Sequence, residues 1–296
     1  MSRSREAFSI HMPTMQEDGL LSKTTESAET EPIIEDEEAI KKKTQWRILT
    51  GRILIFLFLI LGWELSTQFG WMNAYYWSSP TIILEKGWIA WSQGSLLDDI
   101  VFTSSATILG FLAGTLLGAV LGLSFWWSNV YASISEPYIV AFNAIPKLAL
   151  APVIIILLGI GFFSKVVLAF SMTVIVTALA AYSGVKHIDK DMEKLLFSLG
   201  AKRWQVFSKV VIPSAMPWIL SSLRINIALA LAGTIVGEFI SSRQGVGRMI
   251  LYAGQIMDTD LVWVGVVVLS ILALLMYWAV GIIEKTLMKG IKSSQV

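Results

Sequence analysis

The sequence predicts an all-α polytopic membrane protein with six transmembrane helices. Of its 296 residues, 55% are apolar and only 15% are charged. A helix that crosses a bilayer needs about 20 apolar residues, and three such runs carry no charge: Ile100 to Trp127, Val166 to Val185 and Leu261 to Ile283. Because backbone polar groups in lipid must be hydrogen-bonded internally, these runs are expected to be helical.

Three further runs are apolar with one or two interruptions. They are Ile53 to Gly70, Val130 to Ile160 and Ser214 to Ile240. The middle run contains the prolines Pro137, Pro146 and Pro152. Proline removes a backbone donor and clashes with the preceding turn, so this span is expected to be bent or broken.

The distribution of basic residues predicts the orientation, because Lys and Arg are retained on the cytoplasmic side of a membrane. With six spans, the side of the two termini carries fourteen of them, and the opposite side carries Lys86, Lys165, Arg243 and Arg248. We therefore expect a multi-pass protein of the bacterial inner membrane with both termini in the cytoplasm. The fourteen are Lys41, Lys42, Lys43, Arg47, Arg52, Lys186, Lys190, Lys194, Lys202, Arg203, Lys209, Lys285, Lys289 and Lys292.

The N-terminal residues 1–46 differ from the rest of the chain. They are rich in Ser, Thr and Glu, and an acidic run from Glu35 to Glu38 is followed by three lysines. This composition predicts a disordered cytoplasmic tail, with residues 47–296 forming the transmembrane domain. No secretory leader pattern is visible, so the first span is expected to remain as an anchor.

Two elements around the second span have recognisable patterns. Gly110, Gly114, Gly118 and Gly122 recur every four residues, which predicts a smooth helix face for close packing within one subunit or between two. Before this span, an aromatic-rich stretch is typical of the bilayer interface. We expect a short surface helix over Thr81 to Trp91, started by Ser79 and Pro80.

Few charged residues lie inside the predicted spans, and they include Glu64, Lys147, Arg224 and Glu238. A charge in hydrocarbon costs at least about 2.5–3.5 kcal/mol, so each should face protein, water or the interface. Arg224 lies eleven residues beyond Pro213, roughly 16 Å along its helix. A structural ion pair and a substrate contact are both open for it.

Two further polar residues of the predicted spans, Asn143 and Glu238, are also candidates for a translocation pathway. Glu238 lies near the outer end of its span, where it could reach water. The candidate residues of a translocation pathway are thus Asn143, Lys147, Arg224 and Glu238.

Between the fourth and fifth spans lies a segment of residues 186–213, which we call the basic segment. Its part from Leu195 to Pro213 is basic and amphipathic, with Gly200 after the first turns and a proline at the end. A docking surface for a soluble partner and an ordinary cytoplasmic loop are both consistent with this pattern.

Enzyme chemistry finds little support in the sequence. The two histidines are His11 and His187, and the chain has no cysteine, so thiolate nucleophiles and disulfides are excluded. A phosphate-binding loop of the form G-x-x-x-x-G-K-[ST] is also absent. We expect no metal or cofactor in this chain, and if ATP powers transport, a separate chain must hydrolyse it.

The basic segment resembles the "EAA" signature of the membrane subunits of bacterial ABC importers. In that pattern a glycine precedes an Ile-x-Leu-Pro ending, and Gly200 and Pro213 stand at the expected separation. Lys194, Leu195 and Leu196 occupy the Glu-Ala-Ala positions, with Glu193 one residue early.

Other stretches resemble the nitrate/sulfonate/taurine/bicarbonate-type branch of that family. They include GFLAG from Gly110, AIPKLALAPV from Ala144 to Val153, SLGAKRWQVF, IPSAMP, SLRI around Arg224, and GEF followed by QGVGRMI. The resemblance runs from about Ile53 to Lys289.

The resemblance implies a type I ABC importer permease fold and a set of partners. These are a second permease copy, two ATPase subunits that hold ATP and Mg, an extracytoplasmic solute-binding protein and membrane lipid; no nucleic acid is expected. A short helix around Gly200 to Trp204 would seat in a groove on the ATPase. Leu199, Ala201 and Trp204 would supply apolar contacts, and Lys202 and Arg203 the charged rim. The implied coupling loop comprises Glu193, Ser198, Leu199, Gly200, Ala201, Lys202, Arg203, Trp204 and Pro213.

Two other function classes remain. An ion-gradient-driven secondary transporter would usually show a mid-membrane acidic or histidine relay and paired inverted repeats, neither of which is evident. A non-transporting scaffold would leave Arg224 and Gly200 without a purpose. The solute itself, a small anion (sulfonate, nitrate or bicarbonate-like) or a vitamin precursor, is not decided by the sequence.

Overall fold

The structure is a computed structural model that describes the backbone of residues 18–293 and the side chains of residues 43–290. It divides into two compact units, one ending at Leu65 and one beginning at Ser66. The first unit consists of most of helix α1, Asp18–Gln68. We predicted a disordered tail over residues 1–46, but α1 continues back to Asp18, so residues 18–46 are helical. The rest of that tail lies outside the described residues.

The second unit is built from helices alone in the part of the chain that the structure describes. The helices that follow α1 are α2 (Ala74–Trp77), α3 (Pro80–Ser92), α4 (Ser95–Ser124), α5 (Asn129–Ala144), α6 (Ala151–Leu158), α7 (Phe162–Lys186), α8 (Lys190–Ser198), α9 (Arg203–Val206), α10 (Ile212–Ile240), α11 (Val246–Gln255) and α12 (Thr259–Ser293). Short 3₁₀ turns follow α4 at Phe125–Trp127 and precede α6 at Lys147–Leu150, and a π-helical turn, Phe207–Val211, precedes α10.

The membrane spans confirm the predicted fold class. Among the described residues, five helical stretches are long and apolar enough to cross a bilayer, and a sixth span is obtained when α5 and α6 are counted as one bent pair. The five are Lys43–Gln68, Ser95–Trp127, Phe162–Lys186, Arg203–Ile240 and Thr259–Gly290.

The third span is broken at one of its three prolines. The two halves meet at 76°, and the break falls at Ile145 and Pro146. Ile145 is extended (φ −64°, ψ 130°) because proline disfavours a helical conformation in the residue before it. Pro137 is accommodated inside α5, and Pro152 occupies the first turn of α6, where its missing N–H costs nothing.

The core of the second unit is the packing of α4, α7 and α10. All four stripe glycines of α4 are buried and face α7 of the same chain. At Gly122 an added Cβ would lie 2.3 Å from the carbonyl oxygen of Ala178. The two backbones are therefore in direct contact, and the glycine stripe serves packing within the subunit.

The predicted surface helix over Thr81 to Trp91 is observed as α3. Ser79 caps it by accepting a hydrogen bond from the backbone N–H of Ile82, and Pro80 is its first residue. Ile83 and Ala90 are buried on one side, whereas Leu84 and Trp88 are exposed on the other. This arrangement is typical of a helix at the bilayer interface.

Candidate functional site

The basic segment folds as a helix, a glycine turn and a second helix. Asp189 starts α8 by accepting from the N–H of Asp191 at 2.8 Å. After α8, Gly200 adopts a left-handed conformation (φ 82°), and the N–H of Ala201 bonds the carbonyl of Leu196 at 3.0 Å. Such a turn satisfies the last carbonyls of a helix and favours glycine.

Two expectations for this segment were wrong. The resemblance implied a short helix around Gly200 to Trp204, but residues 199–202 form the turn and the next helix begins only at Arg203. Pro213 was expected to close the segment, yet it occupies the first turn of α10. Helical structure runs on from Arg203 to Ile240, and the π-turn lies shortly before Pro213, whose missing N–H interrupts the regular hydrogen bonding.

One face of the basic segment presents apolar side chains to solvent. Leu199 is 75% exposed and Trp204 is 63% exposed, and Met192 and Leu195 are also exposed on α8. A shallow hollow of about 220 Å³ lies beside the turn, lined by Leu196, Leu199, Gly200, Ala201, Gln205 and Lys209. We call this apolar surface around the turn the docking face.

The opposite face of the segment is firmly packed. Val206, Phe207, Val210 and Val211 form a buried cluster with Ile188. Partly buried side chains from the neighbouring helices and turns complete it: Leu123, Trp126, Val185, Leu196, Ala201 and Ile212. Ala201 thus contacts this buried cluster as well as the hollow. The docking face is therefore supported by packed apolar side chains.

The charged residues of the segment differ from one another. Lys202 is exposed, and its backbone N–H donates to Gln205 Oε1 at 2.7 Å, which caps α9. The Arg203 guanidinium is bound within the chain, because its Nη2 donates to the carbonyl oxygen of Trp127 at 2.9 Å. It is therefore not a free member of the expected charged rim. Glu193 lies in the first turn of α8, half-buried, and the Ser198 hydroxyl donates back to the carbonyl of Lys194.

The four candidate pathway residues occupy three separate places. Lys147 lies just after the break of the third span and donates from Nζ to the carbonyl and the Oδ1 of Asn143, both at 3.2 Å. Among the residues whose side chains are described, no carboxylate forms an ion pair with Lys147. Asn143 and Lys147 therefore form a small polar site at the bend.

Arg224 has an acidic partner within the chain. Its Nε lies 2.5 Å from Glu284 Oε2 on α12, and its guanidinium lies 5.6 Å from the centre of the Tyr277 ring. Of the two alternatives left open by the sequence, the ion pair is present. It neutralises both charges where α10 meets α12.

Glu238 was expected near water, and that expectation was wrong. It is 0% exposed, and its carboxylate accepts from the Thr103 hydroxyl and from the N–H of Gly247, both at 2.8 Å. The burial arises because the chain after α10 folds back over it: an added Cβ at Gly245 would lie 2.3 Å from the Glu238 carboxyl carbon.

Around Glu238 lies a polar cluster that the sequence reasoning missed. Lys165, which the sequence places among the basic residues on the side opposite the termini, is 0% exposed. Its Nζ donates to the carbonyl of Ser241. Asp99 accepts from the N–H of Gly245 at 2.6 Å, and Thr103 accepts from the N–H of Val246 at 3.0 Å. The glycines of the GEF and QGVG stretches were the available signal. We call Asp99, Thr103, Lys165 and Glu238 the polar knot.

Comparison with known proteins agrees with this architecture. Residues 110–289 match the family of binding-protein-dependent transport system inner membrane components. The chain is 29% identical to a riboflavin transport system permease protein of Chloroflexus aurantiacus, over 84% of this chain and 92% of that protein. It is 27% identical to the taurine transport system permease protein of Escherichia coli, over 86% of this chain and 96% of that protein.

A solved structure shares the fold. A chain of the MetNI methionine ABC transporter, in a structure described as inward facing, matches with a TM-score of 0.56 and 19% identity, covering 66% of this chain and 97% of that one. The predicted type I ABC importer permease fold is confirmed by this likeness. The match over residues 110–289 shows that the chain belongs to the family of binding-protein-dependent transport system inner membrane components, the permease subunits of ABC importers.

Proposed function

We propose that this permease subunit works in an ATP-driven importer and receives an ATPase at its docking face. The observation that carries the proposal is the exposure of Leu199 and Trp204 beside a glycine turn on a packed base. Large apolar side chains held in water by a rigid support are typical of a surface that a partner covers. Burial of each would stabilise a complex by about 1.5–3 kcal/mol.

The rest of the assembly follows from this assignment. A second permease copy completes the pathway, two ATPase subunits hold ATP and Mg, and a solute-binding protein delivers the solute to the opposite side. The docking face then lies in the cytoplasm with both termini, as the fourteen basic residues of that side favour. The membrane is the inner membrane of a bacterium.

The test is purification of the protein in detergent from its native membrane, with mass spectrometry of what remains bound. We expect an ATPase to be recovered in stoichiometric amount. Recovery of no ATPase with well-folded protein would contradict the proposal and favour a carrier driven by an ion gradient. Uptake that persists after collapse of the proton gradient but stops on ATP depletion is the corresponding expectation in cells.

Gly200→Asp is expected to abolish both ATPase recovery and uptake. An added Cβ at Gly200 meets no atom within 4 Å, and aspartate tolerates a left-handed backbone better than most residues. The fold should therefore survive, while the new carboxylate would be buried without a partner against the ATPase. Such a charge costs several kcal/mol, which corresponds to binding weakened by about 100-fold or more.

Gly200→Asn is the matched control, since it has the same size and backbone tolerance without the charge. It should retain ATPase binding within a few-fold. Equal loss with Asn and Asp would show that the turn itself fails, and normal uptake with Asp would place the ATPase elsewhere.

We further propose that the solute passes the bend of the third span, at Asn143 and Lys147. Support comes from the placement of a lysine without a carboxylate partner beside a broken helix, an arrangement found where irregular backbone lines a cavity. The positive charge favours a small anionic solute or one with an anionic group. Arg224 and Glu238 are engaged by partners within the chain, which favours structural roles for both.

Lys147→Ala is expected to lower uptake by about tenfold or more, the equivalent of one charged hydrogen bond. Lys147→Arg should retain most of it. Both should fold normally, because Lys147 contacts only Asn143 among the polar side chains described. Uptake is measured in proteoliposomes with labelled taurine and with riboflavin; unchanged uptake of every transported solute in Lys147→Ala would contradict the assignment.

A further inference from the structure

A cluster of one arginine and four aromatic side chains joins the docking face to the end of α4. Its members are Trp126, Trp127, Arg203, Trp204 and Phe207. The first two end the α4 stretch, and the other three begin the helical run into α10. We call this group the aromatic clamp.

Arg203 is the centre of the aromatic clamp. Its guanidinium carbon lies 5.6 Å from the ring centres of both Trp126 and Trp127, within the range of cation–π attraction. Its Nη2 also donates to the carbonyl oxygen of Trp127 at 2.9 Å. That carbonyl ends a helix, where a positive charge is favoured. Three attractions thus direct one side chain onto the end of α4.

The aromatic rings extend the contact to the docking face itself. Trp204 stacks on Trp127 with ring centres 6.4 Å apart and planes 25° apart, and Phe207 lies 5.4 Å from both of these rings. Trp204 nevertheless remains largely exposed on its outer side. The same tryptophan therefore offers one surface to a partner and another to α4.

Apart from the aromatic clamp, the docking face reaches α4 through the partly buried Leu123 in the cluster beneath it. The turn at Gly200 is open on the side where a Cβ would point, and the run from Arg203 reaches α10 through a π-turn at Phe207–Val211. A π-turn replaces the regular i→i+4 bonds and is a frequent site of functional irregularity in helices. Movement at the docking face could be absorbed there before it reached the span.

We propose that Arg203 is a positioning residue for coupling. It holds the docking face against the end of α4, so that displacement of the face moves α4 and α10 together. This assignment rests on the proposed function and replaces the expectation that Arg203 belongs to the charged rim that touches the ATPase. Arg203 acts through Trp126 and Trp127, and its removal leaves the partner surface in place.

The experiment uses the complete complex of permease, ATPase and binding protein in proteoliposomes. Arg203→Ala, Arg203→Lys and Trp127→Leu are compared with the unmodified chain, and Lys190→Ala, an exposed cation on α8 outside the clamp, is the matched control. Three quantities are measured: ATPase recovered with the permease, ATP hydrolysed, and solute imported per ATP.

We expect Arg203→Ala to keep ATPase recovery and hydrolysis within about twofold while the solute imported per ATP falls at least tenfold. Arg203→Lys should import more solute per ATP than Arg203→Ala. An ammonium group can reach the carbonyl of Trp127 but cannot cover the rings of both Trp126 and Trp127. Trp127→Leu should lower the ratio less than Arg203→Ala, and Lys190→Ala should leave it unchanged.

A distance measurement reports on positioning directly. The chain has no cysteine, so spin labels placed at Asn129 and Lys194, both exposed, have no background. The unmodified complex and Lys190→Ala should give a narrow distribution for the distance between the two labels of one permease copy, and Arg203→Ala should broaden it.

Two results would overturn the proposal. An unchanged import ratio and a narrow distribution in Arg203→Ala would show that the clamp is not needed. Loss of ATPase from Arg203→Ala with a normal ratio in the remaining complexes would make Arg203 a direct contact. Failure of the proposed function is a separate outcome, since the unmodified chain would then recover no ATPase.

Discussion

Replacement of Gly114 by leucine is expected to abolish recovery of folded protein. A Cβ at this position would lie 1.9 Å from Thr173 Oγ1 and 2.9 Å from the carbonyl oxygen of Phe170. The threonine hydroxyl can rotate away, but the carbonyl belongs to the α7 backbone, so the helices must separate. One extra carbon in a packed core lowers the free energy of unfolding by about 1–3 kcal/mol. Leucine adds further carbon atoms to a contact that has no room for the first.

The measurement is monodisperse yield by fluorescence-detected size exclusion, with the midpoint of thermal unfolding for any variant that survives. Gly114→Ala should survive with a lowered midpoint. Gly254→Leu is the control, because Gly254 is helical and exposed and a Cβ there meets no atom within 4 Å. A monodisperse, thermally normal Gly114→Leu would refute the direct backbone contact of α4 and α7.

The second large effect is expected for Glu238→Ala in the polar knot. The substitution removes the acceptor for the Thr103 hydroxyl and for the N–H of Gly247. It also leaves Lys165 buried without the negative charge that attracts it. A buried donor left without an acceptor costs about 1–3 kcal/mol, and the loss of both hydrogen bonds should release the chain after α10.

Trypsin provides a local readout, since Arg243 lies exposed in the segment that the knot holds. Glu238→Ala should be cut after Arg243 faster than the unmodified protein and should unfold at a lower temperature. Glu238→Gln keeps an acceptor oxygen and should fall between the two.

A double-mutant cycle tests the charge interaction itself. Combined with Lys165→Met, Glu238→Ala should cost less than the sum of the single changes, because the uncompensated lysine is gone. Strict additivity, or normal cleavage and stability in Glu238→Ala, would mean that the knot does not hold the loop.

Much of the fold could be predicted from the sequence, because apolar runs and prolines determine the structure of their own segments. Runs of apolar residues predict spans, and the prolines of the third span predict its break. The sequence did not identify Pro146 as the proline responsible. Pro137 is accommodated within α5 and Pro152 fits a first turn, so the outcome depended on where each helix began.

Less of the functional site could be predicted from the sequence. Gly200 was singled out, and its left-handed backbone gives a physical reason. The role of Arg203 could not be predicted, because its partner Trp127 is distant in sequence and an exposed-looking basic residue carries no mark of a cation–π contact. Lys165 and Glu238 were misplaced for the same reason: each is buried by a segment that returns from elsewhere in the chain.

The glycine stripe has a mechanical consequence for this permease. Helices in backbone contact along four successive turns cannot slide past each other without breaking van der Waals contact at every turn, so α4 and α7 behave as one rod. The second unit then has fewer independent moving bodies than it has spans. One joint within it is the 76° bend before α6. Changes of shape in this chain are therefore expected to include a rotation at this bend, with α4 and α7 moving as one body.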